Sequence, residues 1–564
     1  MDVTLRERLP SADPVLRLLY EPGSAGATLF PGGHFQNETH VLRRLAHLDA
    51  PAKGSKSRPN PASVQALLRL ENAFAPLHAA QEESLLHAGR PGTVFLITGQ
   101  QPGLLGGPIL WLYKALTAAA LAEKWTRLLK RPVVPIFWVA GDDSDLQECN
   151  HLELLDDLPA GLPSVLSLPF PDADRPLSVC ARPIDPQAVE ALVKQLGRLW
   201  KPETLASIRS MHLAPGSLAE AFLHLAQEWL GPRGVLFLNG GSPAIRAVTR
   251  PALERATREW KPLQAALERG TAALKAAGAN PQVGLREGVV HAFTLRKGER
   301  QRLFAESGAS GDRLYTADQP GADLLPSLAS LDLTHDVFTR VLAIESFLPV
   351  LGHVLGPAEL RYFAQVAPAF LEQTGDMPLV HPRMSVAVAP YSAIAGFAAL
   401  GIGLPEAAAL KPSALRIRLT EKAWKTHPAA VDLPLAPPPE LLDGLRRAHA
   451  RHFADAGPFE KLDRSLKGSW ERYLRSLGRM AYAQSLAAGP AAASDAPGNG
   501  GESALFRRLR WLGNGMGQDR HLNLHSLLDL LGRRGLEDLI AAADPAEPGT
   551  RLFTFDPSDE RKSP

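Results

Sequence analysis

Two short apolar runs without alternation most constrain the fold of this 564-residue chain. The first covers residues 93–98 (TVFLIT) and the second covers residues 132–140 (PVVPIFWVA). Continuous apolar runs of this length are typical of strands that are buried on both faces, as in a parallel sheet. A glycine-rich loop (99–108) and a helical pattern (109–125) separate the two runs. The order strand, loop, helix, strand predicts a βαβ unit.

Similar patterns recur further along the chain. Residues 234–239 (GVLFLN) predict another buried strand, and a Gly-Gly loop and a long helical pattern to about residue 277 follow it. Residues 286–305 indicate strands with a hairpin turn at Lys297-Gly298, and residues 340–375 indicate a strand, a loop and a helix. We therefore predict an α/β core with a mostly parallel sheet.

Changes of pattern divide the chain into five predicted parts. They are a helical N-terminal segment joined to the core (1–90), the α/β core with insertions (91–433), a helical segment (434–488), a flexible linker (489–503) and a C-terminal helical segment (504–564). Between residues 459 and 480, apolar side chains recur at steps of three and four, close to a heptad pattern. This spacing fits an antiparallel helical hairpin as well as a dimerising coiled coil.

Composition excludes several classes of protein. Lys and Arg (61) nearly balance Asp and Glu (59), so we expect no large nucleic-acid footprint. The only cysteines, Cys149 and Cys180, exclude a disulfide scaffold and a four-cysteine zinc site. The N-terminus lacks the apolar stretch of a secretory signal, so we expect a cytoplasmic protein. An uncharged stretch at 384–405 is long enough to span a bilayer, but its Ala, Gly and Pro content favours a buried strand followed by a helix.

Polar residues stand where each of the first two predicted strands ends. Gln100 and Gln101 follow the first run, in a glycine-rich loop that matches neither a Walker A loop nor a G-x-G-x-x-G motif. A tight turn and a ligand-binding loop both explain the glycines. Adjacent amides at a strand end are costly unless they are hydrogen-bonded, so the glutamines favour contact with an amino-acid or sugar group.

Three carboxylates within four residues follow the second run, namely Asp142, Asp143 and Asp145. Such carboxylates repel one another unless they are solvated or meet a cation, an ammonium group or hydroxyls. Oxygen ligands suit Mg²⁺ better than zinc, and a solvated helix start remains the alternative. Cys149 nearby is a candidate nucleophile, although a free core cysteine is the commoner role.

With these motifs in view, the sequence resembles the BshC family of cysteine-adding enzymes of bacillithiol biosynthesis. Four stretches between residues 93 and 535 carry the resemblance: TGQQPGLLGGPILWLYKALTAAALA, PVVPIFWVAGDDSDLQECNH, GPAELRYFAQVAPAFLEQTGDMPLVHPRMS and GQDRHLNLHSLLDLLGRRG. The resemblance implies a Rossmann-like core related to nucleotidyltransferases and class I aminoacyl-tRNA synthetases. It also implies inserted connecting segments and a C-terminal coiled coil that forms a homodimer.

The implied reaction joins the carboxyl group of L-cysteine to the amine of glucosaminyl-malate and gives bacillithiol. Because forming this amide from a free carboxylate is uphill in water, activation is expected. By analogy with synthetases we expect ATP and Mg²⁺, through a cysteinyl-adenylate or an acyl-phosphate. Neither nucleic acid nor a membrane is an expected partner.

The resemblance also implies the site residues. Asp142, Asp143 and Asp145, with Ser144, form the expected catalytic segment and would hold the substrate amine, sugar hydroxyls or Mg²⁺. Lys114 and Arg383 would neutralise malate or phosphate charge. The remaining residues expected to bind substrate or nucleotide are Gly99, Gln100, Gln101, Gly103, Gly106, Gly107, Trp138, Asn150, His151, Arg340, Glu359, Tyr362 and Ser385. Contact with a ligand and a structural ion pair are equally open for Glu359, Arg361 and Arg383, and no metal ligand set is predicted.

The chain departs from the family pattern at several positions. Ser144 stands where the family's E-D-H-D motif has its histidine, and Ile344 stands where the family has a glutamine. Gln518-Asp519-Arg520 replaces Q-E-R, and the HxGH and KMSKS motifs of nucleotidyltransferases are absent. These departures leave two alternatives, a related amino-acid ligase with a different acceptor and a catalytically silent dimeric binding homologue.

Overall fold

A computed structural model of the chain describes residues 4–9, 13–20, 23–50, 60–153, 165–197, 200–213, 216–308, 311–390, 403, 442–444, 446–447 and 522–555. The chain divides into two compact units, one of Met1–Ala387 with Gln518–Phe553 and one of Val388–Gly517 with Thr554–Pro564. Nearly all of the second unit lies outside the described residues. The predicted coiled-coil segment (434–488), apart from five residues, and the predicted linker (489–503) lie there too, so both stay predictions.

Both strands and helices occur in the described part of the chain, in groups as well as in alternation. The strands are β1 (Thr4–Leu9), β2 (Val94–Gln100), β3 (Val133–Val139), β4 (His151–Glu153), β5 (Val165–Ser167), β6 (Leu236–Asn239), β7 (Val289–Arg296), β8 (Glu299–Gly308), β9 (Gly311–Thr316), β10 (Leu333–His335), β11 (Val350–Leu355), β12 (Leu379–Pro382), β13 (Met384–Pro390) and β14 (Gly549–Phe555). The helices are α1 (Pro14–Tyr20), α2 (Ser24–Leu29), α3 (Glu38–Asp49), α4 (Pro61–Glu71), α5 (Ala79–Ala88), α6 (Leu110–Leu129), α7 (Pro186–Leu196), α8 (Pro202–Leu213), α9 (Leu218–Leu230), α10 (Pro243–Arg258), α11 (Trp260–Ala276), α12 (Val337–Phe347), α13 (Pro357–Thr374) and α14 (Leu524–Ala542).

A five-stranded parallel sheet forms the centre of this unit, with the strand order β12-β11-β2-β3-β6. The chain runs from β2 outward through β3 to β6 and then returns to the other side of β2 for β11 and β12. The strand order therefore reverses between β2 and β11. In open α/β sheets, ligands bind beyond the carboxyl ends of the strands at such a reversal. The predicted parallel α/β core is confirmed, and this edge is where the site is expected.

Alternating side chains of the central strands pack into two separate apolar layers. On β2, Phe95 and Ile97 lie in the layer that includes Ile344 of α12. Val94 and Leu96 lie in the opposite layer, against Trp125 of α6 and other apolar residues. All seven residues of β3 are buried. Burial on both faces is the physical reason that β2 and β3 show continuous apolar runs rather than alternation.

A four-stranded antiparallel sheet, in the order β10-β7-β8-β9, is inserted between β6 and β11 along the chain. The turn between β7 and β8 falls at Lys297 and Gly298, whose φ angles of 53° and 81° allow the tight reversal. The hairpin predicted there is confirmed. Pairing of β10 with β7 places His335 opposite Ala292, and this inserted sheet supplies side chains to the site described below.

The N-terminal region is less uniformly helical than the sequence predicts. It begins with β1, which lies in a three-stranded sheet of order β1-β14-β13. Half of the residues of β1 (TLRERL) are charged, and its neighbour β14 is more than 500 positions away, so no local pattern reveals the pairing. The uncharged stretch from residue 384 begins as β13, as predicted, whereas its predicted helix lies outside the described residues. Of the helices in the described ranges, none is both long enough and apolar enough to cross a membrane.

Candidate functional site

Lys114 of α6 lies buried at the carboxyl end of β2. Its Nζ donates to Gly99 O at 3.0 Å and to Gln100 Oε1 at 2.6 Å, and it lies 2.7 Å from Glu359 Oε2. Burial lowers the pKa of Lys114, although the charge and hydrogen bond of Glu359 oppose this shift. An ammonium group has three N–H donors, so all three of these donors meet protein acceptors.

Glu359 joins this lysine to the end of β11. It lies in the first turn of α13, where Oε2 also accepts a hydrogen bond from Gly356 N at 2.7 Å. A Cβ built on Gly356 would lie 3.4 Å from Glu359 Oε2, 3.5 Å from Arg383 Nε and 3.9 Å from Lys114 Cε. The three side chains therefore surround Gly356, beside the point where the strand order reverses. The backbone N–H of Arg383 donates to Leu355 O at 2.9 Å, which holds Arg383, the residue after β12, against the end of β11.

Arg340 of α12 is partly buried near the carboxylates that follow β3 and β11. Its Nη2 donates to the hydroxyl of Tyr362 at 2.7 Å. Burial on its own would lower the pKa of Arg340, but Tyr362, Glu359, Asp142 and Asp143 are close enough to raise it above its usual value. Burial also raises the pKa of Tyr362, so its hydroxyl stays protonated. The positive charge of Arg340 thus interacts with the carboxylates of Asp142 and Asp143, which follow β3, and of Glu359, which follows β11.

Asp142 follows β3 and is held by two residues of β10. The hydroxyl of Thr334 donates to Asp142 Oδ2, and His335 Nδ1 lies 3.5 Å from the same oxygen. Burial opposes ionisation of Asp142, but the hydrogen bonds from His335 and Thr334 and the charge of Arg300 outweigh burial and lower its pKa. Asp142 is therefore a permanently ionised, enclosed carboxylate at neutral pH.

Of the carboxylates that directly follow β3, Asp143 accepts the most hydrogen bonds. Its Oδ2 accepts from Gln101 Nε2 at 2.7 Å, and its Oδ1 accepts from Arg300 Nη1 at 2.9 Å. The backbone N–H of Ser144 donates to Oδ1 at 2.7 Å. Arg300 also donates to the carbonyl of His335, and its guanidinium lies over the ring of Phe293. Asp143 therefore ties the end of β2 to the inserted sheet.

These residues form one group, which we name the switch-point cluster. It consists of Gln100, Gln101, Lys114, Asp142, Asp143, Arg300, Arg340, Glu359 and Arg383.

Glycines without room for a side chain let the strand ends approach one another. A Cβ at Gly99 would lie 2.5 Å from Trp138 O, and one at Gly141 would lie 2.3 Å from Asn239 Oδ1. A Cβ at Gly240 would lie 2.5 Å from Asp142 Oδ1. Trp138 itself is buried, and its ring meets that of His335 edge-to-face at 5.6 Å.

The glycine-rich loop after β2 is buried and internally bonded. The N–H of Leu104 donates to Cys149 O, that of Gly106 to Gly103 O and that of Gly107 to Leu104 O. A phosphate cradle needs free backbone N–H groups that converge on the ligand. These three N–H groups are already used, so this part of the loop does not fit a phosphate.

The comparisons with known proteins agree on one family. A family model described as Bacillithiol biosynthesis BshC, N-terminal Rossmann-like domain, matches residues 32–384. The chain belongs to the BshC family.

Three curated proteins with the name "Putative cysteine ligase BshC" illustrate the likeness. The protein from Desulforamulus reducens is 31% identical over 54% of this chain and 56% of its own length. The protein from Solibacter usitatus is 29% identical over 61% and 63%, respectively. The protein from Thermus thermophilus is 32% identical over 54% and 59%. The chain thus matches less than two thirds of the length of each of these BshC proteins.

Several residues that the BshC resemblance implied lie apart from the switch-point cluster or have other contacts. Asp145 is exposed, and it caps a short 3₁₀ helix by accepting from Glu148 N at 3.4 Å. His151 lies on β4, opposite Ser167 of β5, and Asn150 accepts at its backbone carbonyl from Leu168 N. Ser385 lies on β13. The roles predicted for these residues stay predictions.

The contacts of two further residues bear on the alternatives left by the sequence. Arg361 Nη2 lies 2.6 Å from Asp13 Oδ2, so Arg361 forms an ion pair within the protein. Cys149 is fully buried in an apolar cluster, and burial raises the pKa of its thiol, so it fits a core cysteine.

Three residues of the site were missed by the sequence analysis, namely Arg300, Thr334 and His335. They lie more than 150 positions beyond Asp143 along the chain, on the inserted antiparallel sheet. No BshC motif quoted above contains them. The polar triplet Thr334-His335-Asp336 between apolar residues was the one local signal that pointed to this region.

Proposed function

We propose that this chain is a ligase that joins the carboxyl group of L-cysteine to the amine of glucosaminyl-malate and so forms bacillithiol. Membership of the BshC family and the names of its relatives support this proposal. The observation that carries it is the switch-point cluster, where buried charges of both signs meet at the carboxyl edge of the sheet. Such an edge can hold a substrate with both anionic and cationic groups.

The reaction forms a C–N bond at the carboxyl carbon of cysteine and breaks a C–O bond there, while the acceptor amine loses a proton. We propose that ATP with Mg²⁺ supplies the activation that this uphill step needs. Within the described ranges, no group of three or more His, Cys, Asp or Glu side chains is placed to hold a metal ion. Since three backbone N–H groups of the glycine-rich loop are also hydrogen-bonded already, we assign no residue of the chain to the nucleotide.

The charges of the switch-point cluster suggest different roles for its residues. Asp142 and Asp143 would attract the ammonium form of an amine, and Gln100 and Gln101 would contact the substrate directly. Arg383 would face an anionic group. We further propose a core akin to nucleotidyltransferases and class I synthetases, a homodimer formed through the helical segment 434–488, and a cytoplasmic location.

One observation favours a second candidate, a related ligase with another acceptor. Ser144 lies half-buried in the acidic turn next to Asp143, where a hydroxyl replaces the family's titratable histidine. Ile344, the other departure, is buried in the apolar layer behind the sheet. Only the first of these departures therefore lies where it can alter contact with a substrate.

Mass spectrometry of reaction mixtures tests the proposal. Purified full-length protein is incubated with glucosaminyl-malate, L-cysteine, ATP and Mg²⁺, with each component omitted in turn. We expect bacillithiol only in the complete mixture, and release of ADP or AMP identifies the type of activation. Failure to form bacillithiol by folded protein that binds glucosaminyl-malate would overturn the proposal. Product from another amino sugar, with none from glucosaminyl-malate, would establish the second candidate.

A further inference from the structure

The orientation of the Gln100 amide is fixed by its neighbour. Lys114 Nζ lies 2.6 Å from the end of this side chain, and an ammonium group has donors but no acceptor. The amide oxygen must therefore face the lysine. The amide nitrogen, Nε2, is left directed away from Lys114, and the described residues provide no hydrogen-bond acceptor for it. Gln100 is only partly buried, so this N–H₂ group is accessible to a small molecule.

The orientation of the Gln101 amide is fixed in the opposite sense. Its amide contacts Asp143 Oδ2 at 2.7 Å, and this carboxylate, paired with Arg300, accepts but does not donate. The amide nitrogen must therefore face Asp143, and the carbonyl oxygen, Oε1, is directed away from Asp143. Nothing among the described residues donates to this oxygen. Two adjacent glutamines thus present a donor and an acceptor.

The surrounding charges have the signs that match these two groups. On the Gln100 side, two cations, Lys114 and Arg383, lie close to one anion, Glu359. On the Gln101 side, the carboxylates of Asp142 and Asp143 lie close to Arg300, and Arg340 lies near these carboxylates and Glu359. The end of Gln100 is thus beside the ammonium group of Lys114, and the end of Gln101 is beside the carboxylate of Asp143. An anionic oxygen is favoured beside Gln100 and a cation beside Gln101.

We propose that Gln100 and Gln101 recognise the zwitterion of an α-amino acid, with its carboxylate on Gln100 Nε2 and its ammonium group on Gln101 Oε1. Lys114 and Asp143 are positioning residues, because they use their own hydrogen bonds to lock the two amides in opposite senses. In the ligase proposed above, on which this inference rests, the amino acid is L-cysteine. Its carboxylate then lies beside Gln100 and Lys114, and its own amine is held beside Gln101 and Asp143.

Two substitutions with two cysteine analogues test this assignment. Gln100→Glu keeps an oxygen for Lys114 and replaces the outward N–H₂ by a carboxylate oxygen. Gln101→Met keeps the length of the side chain and removes its amide, so that both the outward oxygen and the hydrogen bond to Asp143 are lost. Cysteamine lacks the carboxylate of L-cysteine, and 3-mercaptopropionate lacks its amine.

Calorimetry on the full-length protein, under reducing conditions, gives the dissociation constants of the three compounds. We expect Gln100→Glu to weaken L-cysteine and 3-mercaptopropionate by roughly 10- to 100-fold, the range for a lost hydrogen bond to a charged group, and to leave cysteamine unchanged or tighter. We expect Gln101→Met to weaken L-cysteine and cysteamine and to leave 3-mercaptopropionate unchanged. Gln195→Glu, an exposed position on α7, is the matched control and should change none of the three.

Equal effects of Gln100→Glu on L-cysteine and cysteamine, or no effect on either, would overturn the inference. The same holds if the variants change only the KM for the acceptor. Thermal unfolding of each variant shows whether a loss of binding reflects a loss of folding, and Gln100→Asn, which keeps the amide but shortens its reach, serves where Gln100→Glu does not fold. If wild-type protein forms bacillithiol while the variants bind all three compounds normally, this inference fails and the proposed function stands. If wild-type protein forms no product and binds no L-cysteine, both fail.

Discussion

Lys114 Nζ lies 2.7 Å from Glu359 Oε2 and so joins α6, which follows β2, to α13, which follows β11. These are the two strands between which the order of the parallel sheet reverses. The lysine side chain is 5% exposed and the glutamate side chain 18%. Because both charges are largely removed from water, the pair fixes the geometry of the cluster, and losing either partner leaves a poorly solvated charge.

The first prediction concerns this pair. Glu359→Gln keeps an oxygen for the N–H of Gly356 but leaves Lys114 without its anion. We expect the free energy of unfolding at pH 7 to fall by about 3 kcal/mol, the scale for breaking a buried pair. Because the pKa of Lys114 is already lowered in the folded protein, the unfolded chain binds more protons, and stability rises with pH up to the unfolded lysine value of about 10.4. The variant should show a steeper rise.

Urea denaturation between pH 6 and pH 10 measures both effects. Glu82→Gln is the matched control, because Glu82 pairs with Arg69 at an exposed site where both side chains are about half accessible. We expect the control to change stability by no more than about 1 kcal/mol, with no change in pH dependence. A stability loss in Glu359→Gln no larger than in the control would contradict the importance assigned to the pair.

The second prediction separates two carboxylates of the same turn. Asp143→Asn replaces an acceptor of the Arg300 and Gln101 hydrogen bonds, so the Gln101 amide is free to turn and Arg300 loses its anion. We expect turnover to fall at least roughly 100-fold, which corresponds to about 2.7 kcal/mol of transition-state stabilisation, while the protein stays folded. Asp145→Asn, at an exposed position, should keep most of the activity.

Product formation by mass spectrometry, with circular dichroism as the check on folding, distinguishes the two variants. Full activity of folded Asp143→Asn would remove the acidic turn from the mechanism. Equal losses in both variants would instead indicate that the net charge of the turn matters more than the hydrogen bonds of Asp143.

How far the sequence predicts this site depends on where each partner comes from. Gln100, Gln101 and Asp143 were identified because buried parallel strands leave long apolar runs, and the residues after such runs lie together at one edge of the sheet. Arg300 and His335 were missed because the inserted antiparallel sheet contacts that edge only through tertiary packing. The contacts of Lys114 were also hidden, since its position just over one turn into α6 says nothing about the partners that occupy its three donors.

For the fold as well, local features were predicted from the sequence and contacts between distant segments were not. The turn at Lys297-Gly298 was predicted from two adjacent residues, because a tight hairpin depends on local backbone geometry. The pairing of β1 with β14 was not predicted, because it joins the two ends of the chain and neither strand has an alternating pattern. Local order is thus well encoded in short windows, whereas contacts between distant segments are not.

The third prediction tests the environment of Asp142. Thr334→Val removes the hydroxyl that donates to Asp142 Oδ2 and preserves the shape of the side chain. We expect the variant to be less stable at pH 7 by about 1–3 kcal/mol, the cost of an unmet hydrogen bond to a buried charged group. Because the pKa of Asp142 is lowered in the folded protein, its contribution is fully present above the unfolded value of about 3.9 and is lost as the pH falls below it.

The unfolded chains of the two proteins titrate alike, so the difference between wild type and Thr334→Val should stay constant until Asp142 begins to be protonated in the folded variant, where its pKa is higher than in wild type, and should shrink below that pH. Chemical denaturation from pH 3 to pH 7 measures this. Thr257→Val is the control, because the Thr257 hydroxyl is buried without a hydrogen-bond partner among the described residues, and its loss should be neutral or stabilising. A difference that stays constant down to pH 3 would show that Asp142 remains ionised in folded Thr334→Val, so that Thr334 contributes little to the lowered pKa of Asp142.

The last prediction uses the missing side chain of Gly240. A Cβ at this position would lie 2.5 Å from Asp142 Oδ1, closer than such atoms can approach, and 3.1 Å from Trp138 Nε1, which is a tight contact. In Gly240→Ala the carboxylate must therefore move away from Thr334 and His335, at a cost of about 1–3 kcal/mol for forced displacement in a packed site. Gly284→Ala is the matched control, because nothing lies within 4 Å of a Cβ there, and its stability should stay within about 0.5 kcal/mol of wild type.

The same substitution also tests the proposed role of Asp142 in the reaction. Because Asp142 is one of the carboxylates proposed to attract the substrate amine, Gly240→Ala should also lower turnover more than its loss of stability explains. Turnover measured well below the unfolding temperature of each variant decides this, and normal activity in destabilised Gly240→Ala would mean that the position of Asp142 matters for folding but not for the reaction.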